Sequence, residues 1–510
     1  MFAGTGSDVG KSVIATAFCR IFRQDGYAPA PFKAQNMALN SSVTTDGGEI
    51  GRAQAVQAEA AGVPCCTDMN PILLKPQSDH TSQIVLGGKV AGVSRAADYF
   101  KREGREALRA AACAAFDRLA ARYNPIVMEG AGSMTELNLR DIDIVNLPMA
   151  AHAGADVILI GDIDRGGVFA SLYGSVALLQ PAERRLVKGI IINKFRGDMG
   201  LFASGVDIIE RLCGVPVLGI VPYMRGLSIE EEDSVALTTK AVAPEQGKIN
   251  IAVVSLRHIS NFTDFDPLEH DPRVHLFYAA DATSIERADI VILPGTKSTA
   301  DDLLWLRRSG AAEAVWRARR RGATVMGICG GYQIMGEAIA DPQHADGDIE
   351  RMSGLGLLPV TTVMRKDKRT VRVNFTLHPD ALALASLITD DDGNGQMHGY
   401  EIHNGETALT GRCSAYPLTR FADGTEDGCI TDTKCMGTYV HGILDNRAFV
   451  DFLLAPYADK CGERTAAFDY AAFREEQYDR IAGQVRESVD MNKVYSILSG
   501  GEGRGEEDGR

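Results

Sequence analysis

The chain has 510 residues, 45% of them hydrophobic and 24% charged, which is ordinary for a folded soluble protein and enough for two or three domains with separate cores. Lys+Arg 53 against Asp+Glu 67 leave a formal net charge of -14, which repels a phosphate backbone and argues against nucleic acid as a partner. No apolar run reaches the ~18 residues of a membrane span, and the opening residues lack the layout of a signal peptide, so a cytoplasmic protein without membrane contact is expected.

The ten cysteines are scattered and form no Cys-x-x-Cys pair. Cys65-Cys66, Cys413, Cys429 and Cys435 therefore read as structural thiols rather than a disulfide framework or a metal site.

Gly4-Thr5-Gly6-Ser7-Asp8-Val9-Gly10-Lys11-Ser12 reads as a glycine-rich turn opening a helix. In such a turn the backbone around Gly4, Thr5 and Gly10 cradles the phosphates of ATP, Lys11 neutralises their charge, and the Ser12 hydroxyl is placed to bind Mg2+. Five residues separate Gly4 from Gly10, one more than in the usual phosphate loop. Only Met1, Phe2 and Ala3 precede the loop, so its launching strand is either very short or cut by a late start. A helix is expected from Arg105 to Tyr123.

Short β-branched runs follow at Ile126-Val127-Met128-Glu129, Val157 to Gly161, Gly189 to Asn193 and Val215 to Pro222. Alternating with Ala-rich segments, they predict a doubly wound parallel sheet. Glu129 closes an apolar strand beside glycines, so Ser12, Glu129 and Asp46 form the candidate magnesium set. The alternatives are a solvated strand-end carboxylate for Glu129 and a turn residue for Asp46. Lys33 and Lys75 are candidate partners of phosphate or substrate carboxylate, or else surface lysines. Asn193 follows a strand, where it either reads adenine or forms a turn.

The acidic stretch Glu230 to Asp233 and the polar passage Ala243 to Gly247 mark a boundary near residue 245. Strands at Ile249 to Leu256, Ile290 to Leu293 and before Cys329 announce a second α/β domain, 246–445, followed by a helical extension, 446–498. The tail, 499–510, is poor in apolar residues and reads as disordered.

Within the second domain, Gly327-Ile328-Cys329-Gly330-Gly331 has the layout of a strand-to-helix elbow that presents a nucleophile. Thiolate attack on an amide makes an oxyanion, for which the Gly330 N–H and the Gly295-Thr296-Lys297 turn are the expected donors. His441 is the expected proton carrier. Glu401 and His403 either orient His441, line a glutamine pocket or sit on a surface strand.

The extended phosphate loop resembles that of the dethiobiotin synthetase-like NTPases, which phosphorylate a carboxylate. Pro31 to Met37, which includes Lys33 and Asn36, together with Met69 to Pro76, Glu129 to Ser133 and Asp162 to Gly167, resembles the cobyric acid synthase family over nearly the whole chain. The elbow and His441 are similar to class I glutamine amidotransferases, although Ile443 stands where those enzymes commonly carry a glutamate.

The resemblance implies an ATP- and Mg2+-dependent ligase. It would use ammonia from glutamine to amidate the b, d, e and g carboxylates of adenosylcobyrinic acid a,c-diamide, with Asn36 among the residues at the substrate and a homo-oligomer left open. The alternatives are a cobyrinic acid a,c-diamide synthase and a non-amidating switch ATPase.

Overall fold

Two sets of β-branched runs become two parallel sheets in the computed structural model. It describes residues 1–78, 81–95, 105–227, 244–384, 395–411, 414–460 and 468–500. The chain divides into two compact units: Met1–Ala38, Thr44–Ile229 and Phe473–Arg510 form one, and Leu39–Val43 with Glu230–Ala472 form the other. The acidic stretch expected at the boundary, Cys413 and the tail from 501 lie outside the described residues.

In the first unit, the strands Phe2–Gly4, Val157–Asp162, Val187–Phe195 and Val217–Pro222 pair in parallel in that order. The launching strand is three residues long. Successive side chains point to opposite faces of a sheet, and the core shows it: Ile158 and Ile160 join one apolar cluster with Phe18 and Ile14, whereas Val157 and Leu159 join another with Leu172 and Val176. Both faces are thus covered, which explains why these strands read as continuous apolar runs.

Ile126–Met128 pairs with Ala30–Phe32 and is tied to the first strand through the Gly130 N–H, which donates to Phe2 O at 2.9 Å. That bond places Glu129 beside the phosphate loop. The helix expected from Arg105 spans Arg105–Ala120.

The antiparallel sheet of Ile72–Ser78, Thr81–Leu86 and Lys89–Arg95 was not foreseen. The residues 446–498, read as a single helical extension, are divided between the units: Arg447–Leu454 packs in the second, and the helix Tyr470–Ser488 enters the first from Phe473 onward. There Arg20 Nε donates to Asp479 Oδ1 at 2.7 Å, and Ile481 and Val485 join the core.

The second unit has a six-stranded sheet in the order Val274–Ala279, Ile249–Val254, Ile290–Leu293, Thr324–Ile328, Cys435–Thr438, Cys429–Asp432; only the last strand is antiparallel. A second, mixed sheet is built on Val360–Leu377 paired with Met397–Leu409, and it ends in the two-residue strand Val440–His441. The doubly wound arrangement therefore carries an added antiparallel layer, and that layer brings His441 opposite Tyr400.

A Cβ on Gly219 would stand 2.2 Å from Ser488 O and 2.8 Å from Val489 Cα. Overpacking of this kind costs about 1–3 kcal/mol, so Gly219→Ala should lower the thermal unfolding midpoint measurably while leaving the second unit's transition in place. Differential scanning calorimetry checks this, and an unchanged profile would mean that the 488–489 segment is not seated on that strand.

Candidate active sites

The phosphate loop leaves the strand Phe2–Gly4 and enters the helix Lys11–Gln24 through Gly10, whose φ of 93° suits glycine. A Cβ at Gly10 would also meet Asn193 Nδ2 at 2.2 Å. Asn193 itself is buried and donates from Nδ2 to Val9 O at 2.9 Å. The residue expected to read adenine thus also braces the loop through its Nδ2. Lys11 Nζ donates to Gly6 O at 2.8 Å and Gly132 O at 3.0 Å, which curls the ammonium over the loop toward the Glu129 turn.

Glu129 is the centre of this site and is 2% exposed, which rules out a solvated carboxylate. Its Oε1 accepts from Ser12 Oγ at 2.8 Å and Lys33 Nζ at 3.0 Å, and its Oε2 accepts from Gln57 Nε2 at 2.6 Å. Burial alone would raise its pKa, but the Lys33 ammonium and the hydrogen bonds from Gln57, Lys33 and Ser12 outweigh burial and hold it below the usual carboxylate range. Glu129 is therefore an anion at neutral pH. With the Ser12 hydroxyl it offers two hard oxygens at the foot of a phosphate loop, a donor set that fits Mg2+ completing its shell with phosphate and water.

Asp46 is not part of this cluster; its carboxylate is engaged by Thr44 and Thr67 on a separate turn. Lys75 is no surface lysine either, since it is buried and paired with Glu49 at 2.6 Å. Asn36 donates to Gln54 Oε1 at 3.1 Å. Gln57 escaped the sequence reading because a glutamine inside an Ala-rich helix carries no distinguishing signal.

In the second unit the elbow is real: Cys329 has φ 51° and ψ -110°, between the strand Thr324–Ile328 and the helix Gly330–Met335. Such strain at a non-glycine residue is held only by tight surroundings, and a Cβ at Gly331 would lie 1.9 Å from Leu293 O. Gly330 packs on the predicted turn, where a Cβ would be 3.1 Å from Thr296 N, while one at Gly295 would be 3.2 Å from His441 Cε1. Cys329, Gly330, Gly295 and His441 are thus gathered as expected.

The third member of the constellation is Asp264. Its Oδ2 lies 2.7 Å from His441 Nδ1, and its Oδ1 accepts the Gly442 N–H at 3.0 Å. Binding at Nδ1 leaves Nε2 for the hydrogen bond with Cys329. Burial disfavours the imidazolium, yet the Asp264 carboxylate and the hydrogen bond with Cys329 overcome it, so the His441 pKa is pushed up to about 10. A protonated His441 thus lies beside Cys329.

Neither Glu401 nor His403 orients His441. Glu401 pairs with Arg369, and the His403 ring stacks on Tyr439 with centroids 3.8 Å apart. The position of Ile443 is fully buried and apolar. Asp264 lies 177 residues before His441, so no local spacing could link them.

Residues 1–235 match the family model for the CobQ/CobB/MinD/ParA nucleotide binding domain, and residues 250–449 match that for the CobB/CobQ-like glutamine amidotransferase domain. Cobyric acid synthase of Bacteroides fragilis is 63% identical over 98% of each chain. That of Phocaeicola vulgatus is 61% identical over 98% of each chain. That of Klebsiella pneumoniae is 48% identical over 98% of this chain and 97% of its own.

Asp264→Asn keeps the shape but removes the charge that sustains the imidazolium. Glutamine hydrolysis should fall by ~10²–10⁴-fold, and the His441 ring, titrated by NMR, should lose its proton well below the wild-type value of about 10. Unchanged hydrolysis and an unchanged titration would remove Asp264 from the chemistry.

Proposed function

The chain belongs to the cobyric acid synthase family, whose members are glutamine-hydrolysing ligases, and from that premise we propose that it makes adenosylcobyric acid. In this reading it amidates the b, d, e and g carboxylates of adenosylcobyrinic acid a,c-diamide, with one ATP consumed for each amide. The observation that carries the proposal is the presence in one chain of the Lys11-Ser12-Glu129 phosphate site and the Cys329-His441-Asp264 constellation.

At the first site a substrate carboxylate oxygen attacks the γ-phosphorus of ATP, the bond to ADP breaks, and an acyl phosphate forms. Lys11 balances the charge of the transferring phosphoryl group. Ser12 and Glu129 would hold Mg2+, which would supply Lewis-acid stabilisation of the phosphates. Lys33 keeps Glu129 charged and oriented. Ammonia then attacks the acyl carbon and expels phosphate, which departs with the original carboxylate oxygen.

A cavity of about 330 Å³ lies within the same unit. Gly132, Met134, Arg105, Asn146 and Leu147 are among its lining residues. Its lining combines an apolar wall with Arg105 and Arg140 and with the carboxylates Glu136, Asp143 and Glu183, of which Glu183 is paired with Arg140; the apolar wall suits the face of a large ring system.

At the second site the Cys329 thiolate attacks the glutamine amide carbon. The Gly330 N–H and the Gly295-Thr296 turn stabilise the oxyanion, and His441 gives its proton to the departing ammonia. Water, deprotonated by His441, then hydrolyses the thioester to glutamate.

Mass spectrometry of the corrinoid after incubation with ATP, magnesium and glutamine tests the proposal; four successive amide substitutions are expected, and a product that stops at other positions or numbers would refute the assignment. Lys11→Ala should abolish amidation with glutamine and with free ammonia alike, because no acyl phosphate forms. Near-wild-type synthesis from ammonia in that variant would overturn the phosphate site.

A further inference from the structure

Five residues that come after the Lys33 to Met37 motif, Leu39–Val43, belong by their packing to the second unit, although the chain on either side of them belongs to the first. Their sequence, Leu-Asn-Ser-Ser-Val, is polar at its centre, yet Asn40, Ser41, Ser42 and Val43 are each at most 4% exposed. Buried polar groups are retained where they are hydrogen-bonded, and the partners here are informative.

Asn40 Oδ1 accepts the Phe262 N–H at 3.1 Å, and the Ser41 N–H donates to Asn261 Oδ1 at 3.1 Å. This reciprocal pair clamps Asn261, whose φ of 51° lies in the left-handed region that asparagine tolerates better than most residues. Asn261 O in turn accepts the Asp264 N–H at 3.0 Å, so the clamp sits one hydrogen bond away from the residue whose carboxylate holds His441.

The other face of the imidazole is reached as well. The Tyr400 ring stacks on His441, centroids 5.4 Å apart and planes 20° apart, and Tyr400 OH donates to Ser41 O at 3.2 Å. Arg372 Nε donates to Val43 O at 2.8 Å and fixes the far end of the segment.

We infer that Asn40 and Tyr400 are positioning residues of the glutaminase centre, and that the segment Leu39–Val43 completes that centre by fixing both the Asp264 loop and the ring that lies against His441. The inference rests on the amidotransferase reading above. Neither residue is among the reacting groups of that reading; each acts through the orientation of His441. Loss of that orientation slows proton transfer to ammonia without removing any group that binds glutamine.

The test uses the full-length enzyme, assayed for glutamate release and, separately, for corrinoid amidation from an ammonium salt. Asn40→Ala should lower kcat for glutamine by ~10-fold or more with KM little changed, because a small misplacement of a catalytic group is felt mainly in turnover. Tyr400→Phe keeps the stacked ring and loses the hydroxyl that bonds Ser41, so it should shift kcat in the same direction by less. It also decides the matter alone if Asn40→Ala does not fold. Amidation from ammonia should match wild type in both.

Wild-type kcat for glutamine in both variants overturns the proposal, as does parallel loss of glutamine- and ammonia-dependent amidation, which marks a structural role only. A wild-type enzyme that releases no glutamate from glutamine overturns the amidotransferase reading and takes this proposal with it.

Discussion

A carboxylate removed from water must find a positive partner or give up its charge, and the contact between Asp264 and His441 meets that constraint in the way that sets the rest of the glutaminase centre. Both side chains are at most 3% exposed, and their heavy atoms stand 2.7 Å apart. Breaking a buried pair of this kind by removing one partner costs about 3–5 kcal/mol, so the loop that carries Asp264 and the strand that carries His441 cannot drift independently. The imidazolium kept by Asp264 lies against Cys329, and the strained backbone of the elbow aims the thiol at it. What stands beside Cys329 is thus set by a carboxylate three residues beyond Asn261.

The same logic recurs around Glu129. There the charge is balanced by Lys33, and further hydrogen bonds come from Ser12 and Gln57. Each candidate site is therefore built round a buried carboxylate. In one it fixes a hydroxyl and an ammonium beside the glycine-rich loop. In the other it holds the imidazole beside Cys329. Asp427 is another buried carboxylate, and its role is different. Burial pushes its pKa up to about 6, and it braces the Tyr439 N–H and the Thr438 hydroxyl in the turn before His441.

How much of this could be read before the structure depends on how local each signal is. Gly10-Lys11-Ser12 and Cys329-Gly330-Gly331 were legible because backbone geometry forces glycine within a few residues of the reactive group. The parallel strands were legible because burial on both faces leaves continuous β-branched runs. Asp264 was not, since its partner is distant in sequence and connected only by the fold. Asp46 was misplaced for the complementary reason: an acidic residue in a polar turn looks like a ligand until the turn is seen to be closed by Thr67. The antiparallel pair Val360–Leu377 and Met397–Leu409 was missed because charges from Arg365 to Arg369 interrupt the apolar alternation.

The central claim is that one chain holds two chemically separable centres, one that activates a carboxylate and one that liberates ammonia. Its most direct test is corrinoid amidation by folded Cys329→Ala, measured with glutamine and then with an ammonium salt at slightly alkaline pH. The account predicts loss of glutamine-dependent amidation by orders of magnitude and retention of amidation from ammonia. Full activity with glutamine, or loss with both nitrogen sources in a folded protein, would contradict it.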